Sequence, residues 1–431
     1  MIARPIPLRR LATGLVRRAL VGSGQRWQFE APPRGWVPPR MARTSLYLHV
    51  PFCRHACPYC PYTKIRYDGA LVDGFTNAAL AEVEWWARAT GGGEITSIYV
   101  GGGTPTLALD SVAAVIDRVR GRFNLTGDVA IETNPADVDA ATVARLRDMG
   151  VALVSLGVQS FNAAHLRAIG RTYPPTMAED AVSRLASAGF ASVNADLMFA
   201  LPGQAAEDVV ADLDRAAELG VDQVTAYPLF TFPYTPVGRY LRLADVKLPN
   251  LLARRTQYRA ICSWSERRGF DRVSVWAFKK GSAPRYSSVT RAGYIGIGPG
   301  AGSHLPGGFA FNSFDYSTWS QVARSGGPAV ALWMPFTPEL AGWWWLYWRL
   351  YDTRIPLDQL SDTLGREASW IRSWLRLGEL AGLASQRNGT MTLTDAGAFW
   401  LHLAQNYFAL DYVNTLWTAA RRQPWPEAVS L

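Results

Sequence analysis

The stretch SIYVGGGTPTLALDSVAAVIDRVRGRF, residues 97–123, runs through one strand, one glycine turn and one helix. Ser97–Val100 has the short apolar pattern of a buried strand, Gly101–Gly103 closes it, and Ser111–Phe123 spaces its apolar residues as a helix does. The same unit recurs on both sides. Upstream, Leu46–Val50 reads as a strand ended by Pro51, and Leu71–Thr90 as a helix through Leu71, Phe75, Ala79, Leu80, Val83 and Trp86. Downstream, strands at Val129–Glu132, Val151–Gly157, Ser192–Met198 and Gln223–Tyr227 alternate with helices at Ala141–Met149, Asn162–Ile169, Met177–Ala188 and Ala206–Leu219. Short connections between alternating strands and helices specify parallel βαβ units, because parallel neighbours need a crossover. The strands read as apolar on both faces, as in a sheet covered by helices. Periodicity does not choose between an open doubly wound sheet and a barrel. Either one places a site at the carboxyl ends of the strands.

At 431 residues, 48% hydrophobic and 18% charged, the chain has the composition of a soluble globular protein with one large domain and a smaller one. Its net charge of +9 is localised. Met1–Arg43 carries nine arginines and a single acid, Glu30, so the remaining body is close to neutral. That excludes a body that tracks phosphates, and no nucleic-acid partner is expected. The arm itself is read as a solvated or partly docked extension. No apolar run is long enough to cross a bilayer, and no secretory leader is evident, so a cytoplasmic location is expected.

From about Leu332 the composition changes. Gly342–Tyr351 (GWWWLYWRLY) is an aromatic-dense helix; Ser369–Leu383, the turn Asn388-Gly389 and Met391–Leu401 read as helix, hairpin-like wing and final helix. The expected division is therefore a basic arm (1–43), a barrel or sheet domain with its extension (44–330) and a substrate-covering, winged-helix-like domain (331–431). The tryptophan run is read first as core, with a wall for a planar substrate as the alternative.

Three of the four cysteines fall within eight residues, whereas a disulfide framework would spread them. Cys262 lies apart, in a helix-like stretch, and is assigned to core packing. Cys53, Cys57 and Cys60 have C-x3-C-x2-C spacing. On one tight loop each thiolate can bind a different iron of a [4Fe–4S] cube and leave the fourth iron open. A zinc site would add His49 or His55, but neither paired C-x2-C knuckles nor His-x3-5-His spacing completes it.

Several ordered words accompany the cysteines: YLHVPFCRHACPYC (47–60), GGGTPT (101–106), ETNP (132–135), SLGVQSF (155–161), the Arg171 region, DLMFALPGQ (196–204) and GIGPGAGSH (296–304). Together they make the chain resemble the radical S-adenosylmethionine (SAM) superfamily, in its oxygen-independent coproporphyrinogen III oxidase-like branch. The likeness covers about Leu46–Ser303, with a looser match beyond. It implies an α/β fold, a partial (β/α)6 TIM-like barrel with a small, mostly helical, winged-helix-like C-terminal domain. It also implies a [4Fe–4S] cluster on Cys53, Cys57 and Cys60, SAM as cofactor, and a reductant such as flavodoxin or ferredoxin. By the same resemblance, Gly102, Gly103 and Thr104 grip the methionine part of SAM, and Glu132 accepts hydrogen bonds from its ammonium or ribose. Gln159 and Asp196 reach the ribose, Arg171 pairs with the carboxylate, and Tyr47 packs beside the cofactor near the cluster. Tyr47 and Glu132 are the candidate catalytic residues.

Two positions depart from the coproporphyrinogen oxidases: Tyr62 stands where they carry another cysteine, and Gly302 where they carry a bulky apolar residue. These departures favour a resemblance to class C radical methyltransferases and cyclopropanases. Such enzymes use two SAM molecules to add a methyl or methylene carbon to an unsaturated or aromatic carbon. The expected substrate is then a planar or aromatic natural-product-like molecule, in antibiotic biosynthesis, with a downstream tailoring enzyme as partner. The alternatives are coproporphyrinogen III dehydrogenation, haem-directed radical methylation and haem chaperoning. Against the last, His304 and His402 are isolated and form no haem-ligand motif.

Overall fold

The computed structural model describes residues 28–232, 234–237, 247–286 and 293–430. Six parallel strands follow one another in chain order: β1 (Arg43–Val50), β2 (Glu94–Gly102), β3 (Val129–Thr133), β4 (Val151–Gln159), β5 (Ser192–Phe199) and β6 (Gln223–Pro228). Each pairs with the next, with Tyr47 beside Tyr99, Glu132 beside Ser155 and Asp196 beside Thr225. The crossovers are α1 (Gly69–Thr90), α2 (Leu109–Arg122), α3 (Ala140–Asp148), α4 (Ala163–Ala168), α5 (Pro175–Ser187) and α6 (Ala206–Glu218). Local chemistry sets their ends. Asp68 caps α1 by accepting from Ala70 N, and Gly91 ends it in the left-handed region at φ 82°.

The strands do not close on themselves. The far edge of β6 pairs antiparallel with Ala277–Lys280, and the far edge of β1 pairs parallel with β7 (Tyr294–Ile297). The barrel is therefore partial. Its two strand faces also differ from the sequence reading. Leu46, Leu48, Val100, Ile131, Val154, Leu156, Val193, Ala195 and Val224 point outward and pack under the helices. The alternate positions, Tyr47, Tyr99, Glu132, Ser155, Asn194, Asp196, Gln223 and Thr225, face the lumen. One face is an apolar core and the other a polar site.

Beyond β7 the sheet continues as an antiparallel meander, β8 (Gly302–Leu305), β9 (Gly308–Asn312) and β10 (Val330–Pro335). Gln28–Glu30 then pairs with both β10 and Ala428–Ser430, burying Phe29 completely. These are residues of the basic arm; its residues 1–27 lie outside the described residues. The helix α7 (Leu251–Arg268) buries Cys262, as expected, with Tyr258, Ile261 and Trp264.

In the C-terminal part, α8 (Pro338–Tyr351) is the aromatic helix, and Arg354–Pro356, Thr390–Leu393 and Ala384–Arg387 form a three-stranded wing beside the helix Ala368–Leu380. Met391–Leu393 belongs to the wing, not to the final helix, because its side chains alternate between buried and half-buried. The helix α9 starts only after Thr394, whose hydroxyl accepts from Gly397 N, and runs from Asp395 to Arg422. No helix among the described residues is long and apolar enough to cross a membrane.

Candidate active site

The cysteine loop follows β1. Its return is held by Ile65 N and Tyr67 N, which donate to the carbonyls of Pro51 and Cys53 at 2.8 and 2.9 Å. Lys64 Nζ donates to the Cys60 carbonyl at 2.9 Å, and Cys60 N to the Cys57 carbonyl at 3.2 Å. Burial, with Cys60 and Cys57 close by, pushes the Cys53 thiol up to about 11. Such a thiol ionises when a cation binds it, which is what an iron of a cluster provides. Among the described residues, no three His, Cys, Asp or Glu side chains converge on a point that would hold one metal ion. In a [4Fe–4S] cube each thiolate binds its own iron, so the three cysteines need not meet at one point. His49 is also committed elsewhere: its Nε2 donates to the Thr63 carbonyl at 2.8 Å, and its Nδ1 accepts from Tyr47 Oη at 2.7 Å. Burial lowers its pKa to about 4, so it stays neutral. The donor set fits a [4Fe–4S] cluster.

The glycine run lies against this loop. Gly103 N and Thr104 N donate to the carbonyls of Val50 and Phe52 at 2.8 and 2.7 Å. A Cβ on Gly103 would lie 2.4 Å from the Phe52 carbonyl oxygen and 3.0 Å from Cys53 Sγ; one on Gly102, whose φ is 115°, would lie 2.7 Å from His49. A side chain on Gly103 collides with the cluster loop, and one on Gly102 with the end of β1 that leads into it.

Across the lumen, Glu132 Oε1 accepts from Tyr99 Oη and Oε2 from Gly102 N at 3.1 Å. Burial raises its pKa. Asp196 accepts from Ser155 Oγ at 3.0 Å and from Asn194 Nδ2 at 2.9 Å, and Thr225 Oγ1 fixes that amide by donating to Asn194 Oδ1 at 3.0 Å. Burial first, and then Glu132 nearby, push Asp196 up to about 7. The strand runs on to Phe199, so Asp196 lies within β5, below its end.

At the end of β4, Gln159 holds a backbone φ of 70°, a left-handed conformation that costs a side-chain-bearing residue energy. Its Oε1 accepts from Tyr227 Oη at 2.7 Å. A Cβ on Gly157 would lie 3.0 Å from Gln159 Nε2 and 3.8 Å from Arg171 Nη2, so both side chains stand over one glycine. Arg171 Nε donates to Tyr59 Oη at 3.0 Å, and its guanidinium lies 5.6 Å from the centre of the Tyr173 ring.

The structure thus brings Tyr47, Gly102, Gly103, Thr104, Glu132 and Asp196 to one lumen beside the cysteine loop, with Gln159 and Arg171 at its rim. Sequence reasoning missed Tyr99, Tyr59 and Tyr227, whose hydroxyls bond Glu132, Arg171 and Gln159, Tyr286, which bonds Tyr99, and Tyr173, whose hydroxyl donates to the carbonyls of Gly157 and Val158. Tyr59 stood in the cysteine motif and Tyr99 and Tyr227 in expected strands, but none was marked as a partner of the site.

Tyr62 projects into the open lumen. Its residue is 53% exposed, yet the enclosure of its phenol first, and then the nearby Glu132, Cys60, Tyr351 and Asp196, push that phenol well up. Tyr351 therefore meets the site from the end of α8, whereas Trp343 and Leu346 of the same helix are core. Gly302 opens no pocket: Phe309 lies 3.0 Å from where its Cβ would stand and fills the space.

The radical SAM superfamily model matches residues 47–216. The chain is 31% identical over 269 residues to the Heme chaperone HemW of Lactococcus lactis, covering 61% of this chain and 70% of that protein. The chain belongs to the radical SAM superfamily. Within it the branch is that of HemN- and HemW-like proteins, and the cofactors are a [4Fe–4S] cluster and SAM. Anaerobilin synthase of Escherichia coli O157:H7 is 28% identical over 365 residues, 82% of this chain and 81% of that one. The solved coproporphyrinogen III oxidase HemN of Escherichia coli has the same fold, with a TM-score of 0.72 at 21% identity over 88% of this chain and 91% of that one. These relatives overturn the expected class C methyltransferase or cyclopropanase of antibiotic biosynthesis. The departures at Tyr62 and Gly302 misled, because Gly302 is compensated by Phe309 and a missing cysteine at Tyr62 does not by itself specify methyl transfer.

Proposed function

We propose that this chain is a haem-directed radical SAM enzyme, a reading supported by its likeness to a haem chaperone and to anaerobilin synthase. When bound, the cluster and SAM supply a 5′-deoxyadenosyl radical to the substrate. The chain's own residues hold and shield that chemistry. Cys53, Cys57 and Cys60 carry the cluster; Gly102–Thr104, Glu132, Gln159, Arg171 and Asp196 bind SAM; Tyr47, held by His49, packs between them. The observation that carries the haem reading is the half-exposed Tyr62, within the electrostatic reach of Glu132, Asp196 and Tyr351, whose ring would stack on a planar macrocycle. The likeness to anaerobilin synthase, over 82% of this chain and 81% of that protein, supports a synthetic reaction over simple binding. Segments 331–430 would then cover the substrate, and a flavodoxin or ferredoxin would supply electrons.

The test is anaerobic turnover of the reconstituted protein with SAM, a reductant and either haem or coproporphyrinogen III. Loss of the haem Soret band, with 5′-deoxyadenosine formed in proportion, is the expected result, and Cys57→Ala should abolish it. Turnover of coproporphyrinogen III alone would replace the reading with oxidative decarboxylation. Stable haem binding without deoxyadenosine would replace it with chaperoning, the function for which the Lactococcus relative is named.

A further inference from the structure

Tyr286 follows the strand Ala277–Lys280, which pairs with the far edge of β6. Gln223 clamps its backbone from both sides, accepting from Tyr286 N and donating to the Tyr286 carbonyl, each at 3.0 Å. The side chain is buried, and its hydroxyl donates to Tyr99 Oη at 2.7 Å. Tyr99 in turn donates to Glu132 Oε1. A carboxylate only accepts, so the protons in this chain all point toward Glu132. With Gly102 N on Oε2, each carboxylate oxygen has one fixed donor and one lone pair left. A Cβ on Gly101 would lie 2.9 Å from Oε2, so the glycine admits this arrangement.

We propose that Tyr99 and Tyr286 are positioning residues that hold the Glu132 carboxylate with its two remaining lone pairs presented to the donors of SAM. The inference rests on the assignment of Glu132 to the cofactor. Ionisable groups face Glu132 from every side: Tyr47 on β1, Tyr99 on β2, Asp196 on β5, Tyr62 after the cysteine loop, and Tyr286. Of these only Tyr99 donates to it directly, and its donation opposes the upward push of burial. Removing that donor leaves the charged form less favoured, so Glu132 keeps its proton to a higher pH. Tyr286 acts one step removed, by fixing the direction of the Tyr99 hydroxyl.

SAM affinity of the cluster-reconstituted protein, measured anaerobically by calorimetry from pH 5.5 to 8.5, tests this in wild type, Tyr99→Phe, Tyr286→Phe and Glu132→Gln. The infrared band of a protonated carboxyl, assigned by its absence in Glu132→Gln, gives a readout on the protein without cofactor. In Tyr99→Phe the acid limb of affinity and the infrared titration should both move up by about one pH unit. Tyr286→Phe should move them less, and both variants should bind within about threefold of wild type at pH 8.5. Two Phe variants that keep the wild-type profile, or lose affinity equally at all pH, would overturn the pair while leaving Glu132 at the cofactor. Wild-type affinity and profile in Glu132→Gln would overturn that assignment instead. If Tyr99→Phe fails to fold, Tyr286→Phe decides alone.

Discussion

Glu82 is buried and Glu132 half-buried, on opposite sides of the same sheet, and loss of hydration raises the pKa of both. Glu82, on the outer face in α1, is 1% exposed. It accepts from Gly298 N at 2.9 Å, Asn312 Nδ2 at 2.7 Å and Trp319 Nε1 at 2.8 Å. Those donors come from the glycine loop after β7, from β9 and from the helix Tyr316–Arg324, so one carboxylate joins α1 to three later parts of the chain. Glu132, on the lumen face, accepts one donor on each oxygen, and both come from β2. A buried carboxylate saturated by distant elements is a joint; one left with lone pairs over a cavity is a site. The raised pKa is common to both and does not separate them.

The comparison breaks first on stability. Glu82→Ala strands three buried donors and should cost about 3–5 kcal/mol, read from the urea midpoint. Glu132→Gln should change that midpoint by less than about 1 kcal/mol, because lumen groups have solvent and ligand as alternatives. The same substitution should weaken SAM binding by roughly tenfold to a hundredfold, the worth of a hydrogen bond to a charged group. Reversal of these two stability effects would show the joint and the site to be misassigned.

A pH series sharpens it further. Glu82 is pushed up to about 7, so the folded state keeps a proton that the unfolded chain has lost between about pH 4 and 7. Its share of stability is therefore present at acid pH and is lost as pH rises through that window, levelling above it. Glu82→Gln should flatten the slope of unfolding free energy against pH there, by at most about 1.4 kcal/mol per unit. Asp196, also pushed up to about 7, predicts the same sign, and Asp196→Asn should flatten the same window. Slopes that steepen in either variant would contradict the burial argument.

The contrast also marks what can be read from the chain alone. The βα alternation and the cysteine loop were legible because each is a local pattern: strand, glycine turn and helix within 27 residues, and three thiols within eight. Glu132 was legible as a carboxylate at a strand end. Glu82 was not, since in α1 it stands among apolar positions and its donors lie 216 to 237 residues away. Tyr286 and Tyr99, 187 residues apart, were hidden in the same way. The strands β7 and β8 went unread because the glycines of GIGPGAGSH mask a strand pattern, although Gly296 and Gly302 are there for backbone packing: a Cβ on Gly296 would lie 2.2 Å from the Gly302 carbonyl oxygen. The polar lumen face was missed because Leu46, Val100 and Val154 made the strands look apolar throughout, while the alternate residues followed the period of two.

The smallest effect belongs to Tyr62, where the site gives way to the substrate chamber. It stands within the field of Glu132 and Asp196, yet more than half of it is exposed, so it contributes little to either the joint or the cofactor pocket. If its ring is a face for the macrocycle, the ring matters and the hydroxyl does not. Tyr62→Ala should then raise KM for haem about fivefold to tenfold, the worth of one aromatic stacking contact of about 1–1.5 kcal/mol. It should leave SAM affinity and the urea midpoint near wild type. Tyr62→Phe keeps the ring and removes only the phenol, so its KM should stay within about twofold. A larger loss in Tyr62→Phe than in Tyr62→Ala would mean that the hydroxyl serves the carboxylates, which would move Tyr62 from the substrate side to the cofactor side of the lumen.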